Sequence, residues 1–409
     1  MTSTQVTRAE MASALLAGAR ARRDAMVAHL VALAEMESPS ADAAAQQPLL
    51  DHVQAELASR GMRVVRRAGT RTGGYVVAAP DPARAWPYGL LVGHVDTVWP
   101  RGTLAERPVV LDGDVLRGPG TYDMKAGVVQ LLTALDLCAD MGQVPSVAPV
   151  VLVNSDEEIG SRESTPAIHA LAEEADRVFV LEPSLGSSGA LKTARKGLGR
   201  YTVTVHGKAA HAGLDPGAGA SAILELSAVI QALFALNDHD RGVTVNVGMV
   251  SGGIQPNVVA PTSSAVIDVR VLTAADAVVI DEEIRSITTT TPGTSLTVEG
   301  GMGRPPLERT PRNAALYTAA VDVAADMGLD LPEATAGGGS DGNTASQVAP
   351  TLDGLGAVGE GAHADHEQVD VAGWVDRTAL LAGLLLLPPV RDALERTQAG
   401  DPLRLVPPS

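Results

Sequence analysis

In VLVNSDEEIG, residues 151–160, an apolar run stops abruptly in three consecutive acids, Asp156, Glu157 and Glu158. Pro149–Val153 fits a buried strand, which places the acids at its C-terminal end. In open α/β sheets that edge is where ligands bind. Carboxylates this close repel one another, so the run is a solvated loop, a site with a raised acid, or a place where a cation neutralises them.

Three other segments repeat the pattern. Tyr88–Val92 runs into Gly93-His94-Val95-Asp96, Val178–Leu181 into Glu182-Pro183, and Leu352–Val358 through Gly359-Glu360-Gly361 to His363 and Glu367. The expectation is four strands of one parallel sheet, each delivering a histidine or carboxylate to the same edge.

At 409 residues the chain is longer than one typical core supports, so two domains are expected. With 45% hydrophobic but only 2% aromatic residues, the interior must be aliphatic. A net charge of −17 argues against nucleic acid or an anionic membrane as partner. The single cysteine, Cys138, excludes a disulfide or a multi-thiolate site within one chain and reads as a small buried side chain in the helical pattern Val128–Asp140. Charges from Arg8 to Asp24 interrupt any secretory-signal layout, and Ala379–Val390 is too short to span a bilayer, so the cytoplasm is the expected compartment.

In chain order, residues 9 to 36 read as one amphipathic helix, Gln46–Ser59 as a second, and Met62–Arg66 as a strand. The glycine-rich RGPGTYDMKAG, 117–127, opens a helix continuing through Leu137. It has neither the Lys-Ser/Thr ending of a phosphate loop nor dinucleotide spacing. Within it Asp123 either caps the helix or presents its carboxylate outward. Thr165–Glu174 is a short helix. From Gly197 the texture changes: strand Arg200–His206, helix Ala220–Leu236, strands Thr244–Val250 and Ser264–Leu272, helix Ala275–Thr288 and strand Ser295–Glu299 give the split βαβ pattern of a ferredoxin-like domain. The expected layout is 1–196 and 308–409 forming one domain, with 197–307 inserted.

His94, Asp123, Glu158, Glu182 and His363 together make a nitrogen and oxygen set suited to two zinc ions sharing one carboxylate, with manganese or cobalt as substitutes. Asp96 either accepts the second ring N–H of His94 or caps the following turn. Glu157 neighbours Glu158, yet strand alternation points it elsewhere, leaving it free as general base for amide hydrolysis.

HVD at 94–96, GPGTYDMKAG around Asp123, DEEIGS at 156–161, LEPS around Glu182, GKAAHAG around His211 and GGGSDGN at 337–343 resemble the dinuclear zinc exopeptidases of the glutamate carboxypeptidase, acetylornithine deacetylase and succinyl-diaminopimelate desuccinylase family. The resemblance spans nearly the whole chain, and GGGSDGN with TLDGLG leans toward the glutamate carboxypeptidase branch. It implies a zinc-exopeptidase α/β fold, phosphorylase/hydrolase-like, with a mixed sheet flanked by helices and an inserted ferredoxin-like lid. By this resemblance His94, Asp123 and Glu182 hold one zinc and Asp123, Glu158 and His363 the other, Glu157 is base and acid, and the Asp123-Met124 peptide is cis. The lid would form a homodimer, with His211 polarising the scissile carbonyl of the neighbouring protomer's substrate and Asn257 and Arg270 holding the substrate carboxylate. On their own residues these three read equally as a turn histidine, a turn asparagine and a solvent-facing strand position. Lys192, Arg195 and Lys196 are a charged hinge or a recruitment patch. His366, three residues past His363, reads as an exposed neighbour.

The expected function is a zinc-dependent exopeptidase that releases a C-terminal, acidic amino acid from a small peptide or N-acyl substrate. The alternative with the same metal centre is an N-acyl amino acid deacylase. A non-catalytic binding protein has no use for Glu157, and a nucleotide enzyme would need no metal cluster.

Overall fold

The computed structural model describes residues 7–80 and 87–390. Two compact units divide the chain: one comprises the chain up to Thr193, Arg309–Thr335 and the part from Ser340 on, the other Ala194–Glu308 with Ala336–Gly339.

The first unit is built on a six-stranded mixed sheet in the order Arg63–Arg67, Tyr75–Ala79, Ala148–Asn154, Tyr88–His94, Arg177–Val180, Thr351–Leu352. The first two strands pair antiparallel with each other, and Tyr75–Ala79 pairs antiparallel with Ala148–Asn154. The remaining pairs are parallel, with His94 level with Asn154 and Val92 level with Val180. Tyr88–His94 is buried almost throughout, as a central parallel strand covered on both faces must be. Leu91, Val151, Val153 and Phe179 face one core, with helices Arg23–Ala34, Ala126–Asp140 and Val371–Leu385. Leu90, Val92, Leu152, Val178 and Val180 alternate onto the other, with Ile168 and Ala172 of helix Thr165–Glu174. Sheet and helices thus form three layers, cemented by aliphatic side chains.

Two expectations need correction here. The first helix is two, Arg8–Ala21 and Arg23–Ala34, which break at Arg22. Leu352–Val358 is not a strand: pairing stops at Leu352, Gly354 takes a φ of +77°, and Gly356 lies so near Leu181 that a Cβ there would sit 2.3 Å from its carbonyl oxygen. The chain then enters a separate small sheet ordered Gly359–Glu360, Gln368–Asp370, Val115–Arg117, Val110–Asp112.

The second unit is a four-stranded antiparallel sheet ordered Thr244–Gly252, Thr262–Val271, Gly197–His206, Ser295–Arg304. Its core combines Tyr201, Val203, Val205, Ala265, Ile267 and Val269 with residues of helices Ala222–Ala235 and Ala274–Ser286. This is the split βαβ arrangement. Residues well beyond 307 also belong to it, since Arg270 Nη1 donates to the Gly337 carbonyl at 2.8 Å and Arg195 Nη1 to those of Gly338 and Gly339. Arg195 and Lys192 are buried, so the basic cluster is not a solvated hinge. Among the described residues no helix is long and apolar enough to cross a membrane.

Candidate metal centre

Each polar group of the first unit reaches the sheet edge by its own device. His94 closes its strand and is 1% exposed. Its Nδ1 lies 3.0 Å from the backbone carbonyl of Asp96 and 3.4 Å from the Asp96 carboxylate. The carbonyl is thus the nearer partner, and the carboxylate does other work. It accepts the backbone N–H groups of Glu157 and Glu158, each at 3.2 Å, and the Ser40 hydroxyl at 2.7 Å. Asp96 therefore ties the acidic turn to the histidine strand.

Strand Ala148–Asn154 ends before the acids, of which Glu157 and Glu158 open a single 3₁₀ turn, Glu157–Ile159, behind Asp156. Strand alternation does not apply to a turn. Glu157 consequently faces the cluster, its ligand atom within 4.8 Å of those of His94 and Glu182. Asp156 points away and binds Glu163 N–H and Ser164.

Asp123 sits in the tight turn Thr121–Lys125, with the Asp123-Met124 peptide cis. It caps nothing: the helix begins at Ala126 behind Lys125. The backbone N–H groups of Gly120, Tyr122 and Asp123 all donate to the Glu367 carboxylate at 2.9–3.0 Å. His363 stands in the loop between Gly359–Glu360 and Gln368–Asp370, at φ +61°. His366 is exposed in the same loop.

The structure brings all five expected donors together. His94 Nε2 lies 3.3 Å from Asp123 Oδ1 and 3.5 Å from Glu182 Oε1. His363 Nε2 lies 3.4 Å from Asp123 Oδ2 and 2.9 Å from Glu158 Oε2. Although so close, His94 Nε2, Asp123 Oδ1 and Glu158 Oε1 are buried without a hydrogen-bond partner. Buried polar atoms in that state need an explanation, and a pair of cations with Asp123 common to both explains all three. Two imidazoles and several carboxylates, with no thiolate, suit zinc, manganese or cobalt.

The electrostatics agree. Burial, then the Asp123 charge, pushes Glu158 up to about 7. Contacts with Asp123 and Glu158 push His363 up to about 11. Burial works against protonation of His94, but Asp123, Asp96 and Glu182 outweigh it and raise its pKa. Negative charge is thus in excess, and the site would attract divalent cations. Cys138 is buried far up its scale, pushed to about 12 by desolvation.

In the second unit His211 is exposed, and its Nδ1 accepts the N–H groups of Gly213 and Leu214 at 3.1 Å. That fixes the tautomer with the proton on Nε2. Asn257, also exposed, accepts Ala212 N–H through its backbone carbonyl at 3.0 Å. Arg270 Nε donates to Asp268 at 2.9 Å, so its guanidinium is partly engaged.

The sequence singles out Glu367 only as the end of the His363 segment and gives no sign of Trp99, whose indole donates to Glu367 at 2.8 Å. A lone carboxylate in a polar loop gives no periodic signal.

A mixed α/β sheet with histidines and carboxylates gathered at one edge is the frame of a metal-dependent hydrolase. The sequence profile of peptidase family M20/M25/M40 matches residues 90–387, and the chain belongs to that family. Carboxypeptidase G2 of Pseudomonas sp. (strain RS-16) is 29% identical over 379 residues, covering 91% of each chain. Among solved structures, aminopeptidase PepT from Bacillus cereus superposes with a TM-score of 0.73 at 21% identity, over 89% of this chain and 98% of its own. The YXEP protein of Bacillus subtilis, described as a dinuclear metal-binding peptidase of the M20 family, gives 0.65 at 14% identity, over 90% and 98%. These two likenesses establish the fold.

Proposed function

We propose that this metallohydrolase is a dinuclear zinc carboxypeptidase that releases a C-terminal acidic amino acid from a small peptide or N-acyl substrate. The observation that carries the reading is the placement of the two Asp123 oxygens, one near His94 and the other near His363. On this reading His94, Asp123 and Glu182 hold one ion and Asp123, Glu158 and His363 the other. Divalent ions there would polarise the scissile carbonyl and make water acidic enough to attack at neutral pH.

The remaining steps belong to side chains. Glu157, beside the cluster but not needed for either set, takes the proton of the attacking water and passes it to the leaving nitrogen. Asp96 holds the acidic turn and His94 in register. His211, with its proton on Nε2, is suited to donate to the scissile carbonyl oxygen of the neighbouring protomer's substrate, and Arg270 with Asn257 to grip the substrate's terminal carboxylate. The 29% identity to a carboxypeptidase supports the direction of cleavage. Homodimerisation through the second unit is supported by its edge strand Thr244–Gly252, where Met249 and Val250 are exposed near exposed Ile223 and Leu224 of the adjacent helix.

The test is metal analysis followed by competing substrates. Two zinc ions per chain and release of glutamate from peptidyl-glutamate or folyl-glutamate are expected. Turnover of N-acetyl amino acids alone would replace carboxypeptidase by deacylase, and a metal-free active protein would overturn the reading.

A further inference from the structure

Asp123 and His363 come from distant parts of the sequence, yet both leave the same short ladder. Val115–Arg117, which leads to Asp123, pairs antiparallel with Gln368–Asp370, which follows His363, so that Arg117 faces Gln368. Glu367 is the last residue of the His363 loop and is 2% exposed. Its Oε1 accepts Tyr122 N–H and Asp123 N–H, both at 3.0 Å. Its Oε2 accepts Gly120 N–H at 2.9 Å and the Trp99 indole N–H at 2.8 Å. Four donors meet two oxygens, two on each.

Trp99 is itself fixed from above. The Arg107 guanidinium stacks 3.8 Å over its ring and pairs with Asp365 of the His363 loop at 3.1 Å. The loop also closes on itself, with Ala364 N–H donating to Gly361 and Glu367 N–H to Ala364 at 2.9 and 3.0 Å. Gly361, at φ +82°, packs so tightly on Glu367 that a Cβ would come within 2.9 Å of its backbone. One carboxylate thus bolts the Asp123 turn to the His363 loop, and a tryptophan bolts that carboxylate to the loop that follows the His94 strand.

We infer that Glu367, backed by Trp99, is a positioning residue that sets the spacing between Asp123 and His363 and thereby the affinity of the ion those two residues share with Glu158. The inference rests on the metal reading proposed above. Only a carboxylate fills the place: a glutamine offers one oxygen for Oε1's two donors and turns an NH₂ toward the other two. Glu367→Gln therefore loses two acceptor positions and sets donor against donor. Trp99→Phe keeps a ring beneath Arg107 and removes a single donor at a half-buried position.

The test is titration of the full-length apo-protein with Co2+, followed by its visible absorption and by competition with a chromophoric chelator. The wild type is expected to bind two ions. In Glu367→Gln one of the two should weaken by about 10- to 100-fold, the usual scale for groups that orient metal ligands, while the other stays in the wild-type range. Trp99→Phe should weaken the same ion by less. If Glu367→Gln fails to fold, Trp99→Phe decides alone. Variants that bind both ions with wild-type affinity and spectrum overturn the inference and leave the metal reading intact. A wild type that takes up fewer than two ions overturns the metal reading and the inference with it.

Discussion

Asp123 Oδ2 lies 3.4 Å from His363 Nε2, although the two residues come from opposite parts of the chain. With Glu158 the pair forms a group in which acid outweighs base, its carboxylates buried and His363 at the exposed side, and Glu158 is pushed up to about 7 by burial and by Asp123. Removing metal should therefore leave a strained, proton-hungry site. Zinc at a hundred times its Kd should raise stability by about 2.7 kcal/mol, read as a Tm increase that EDTA reverses. Because a cation must displace both the His363 proton, held up to about 11, and the proton Glu158 holds below about 7, affinity should rise with pH, more steeply below about 7 than above it. Affinity that is flat from pH 6 to 8 would count against this.

Glu157 carries the proton transfer in the proposed mechanism. Glu157→Gln keeps the shape and removes the base, so kcat should fall by about 10²- to 10⁴-fold. Zinc content measured by atomic absorption should stay at the wild-type level. Retained turnover would take Glu157 out of the chemistry.

Asp96 accepts two backbone N–H groups and the Ser40 hydroxyl from a fully buried position. Asp96→Ala strands those donors, at a cost of about 1–3 kcal/mol in urea unfolding. Metal affinity should drop by about 10- to 100-fold as the acidic turn loosens from His94. An unchanged affinity would show that the turn holds itself.

Glu163 tests the scaffold rather than the site. Burial alone would raise its pKa, but hydrogen bonds from Thr70, Thr72 and the Arg71 N–H hold it down to about 2. Its stabilising contribution is whole above the ordinary carboxyl value of 4.5 and fades as pH falls through about 2. Glu163→Gln should cost about 1 kcal/mol near neutrality, since the group is partly exposed. The gap from wild type should close between those two pH values, and a gap constant with pH would refute the assignment.

Much of the centre was legible because parallel strands buried on both faces read as unbroken apolar runs whose ends are abrupt. Tyr88–Val92 and Val178–Leu181 announce His94 and Glu182 in this way. The fourth segment misled for a physical reason: Leu352–Val358 is apolar enough for a strand, but its glycines let it press against the Leu181 and Glu182 carbonyls in an irregular path. Glu157 was misdirected because alternation was carried past Asn154 into a turn. The bonds to Glu367 come from backbone N–H groups, which every residue has and no sequence advertises. The strands Val110–Asp112 and Val115–Arg117 are too short to show a period.

The second unit's entry and exit strands touch: Arg195 and Leu307 exchange two backbone hydrogen bonds, at 2.9 and 3.1 Å. On the flanking segments of the first unit, Thr193 and Arg309 both grip the Glu333 carboxylate at 2.7 Å. The long segment 196–306 therefore begins and ends at neighbouring points, separate from the short stretch Ala336–Gly339 that also belongs to the second unit, and a few residues of linker would span that gap at small entropic cost. Because its two ends already meet, that segment is free to differ in length without stretching the strand that ends in His94.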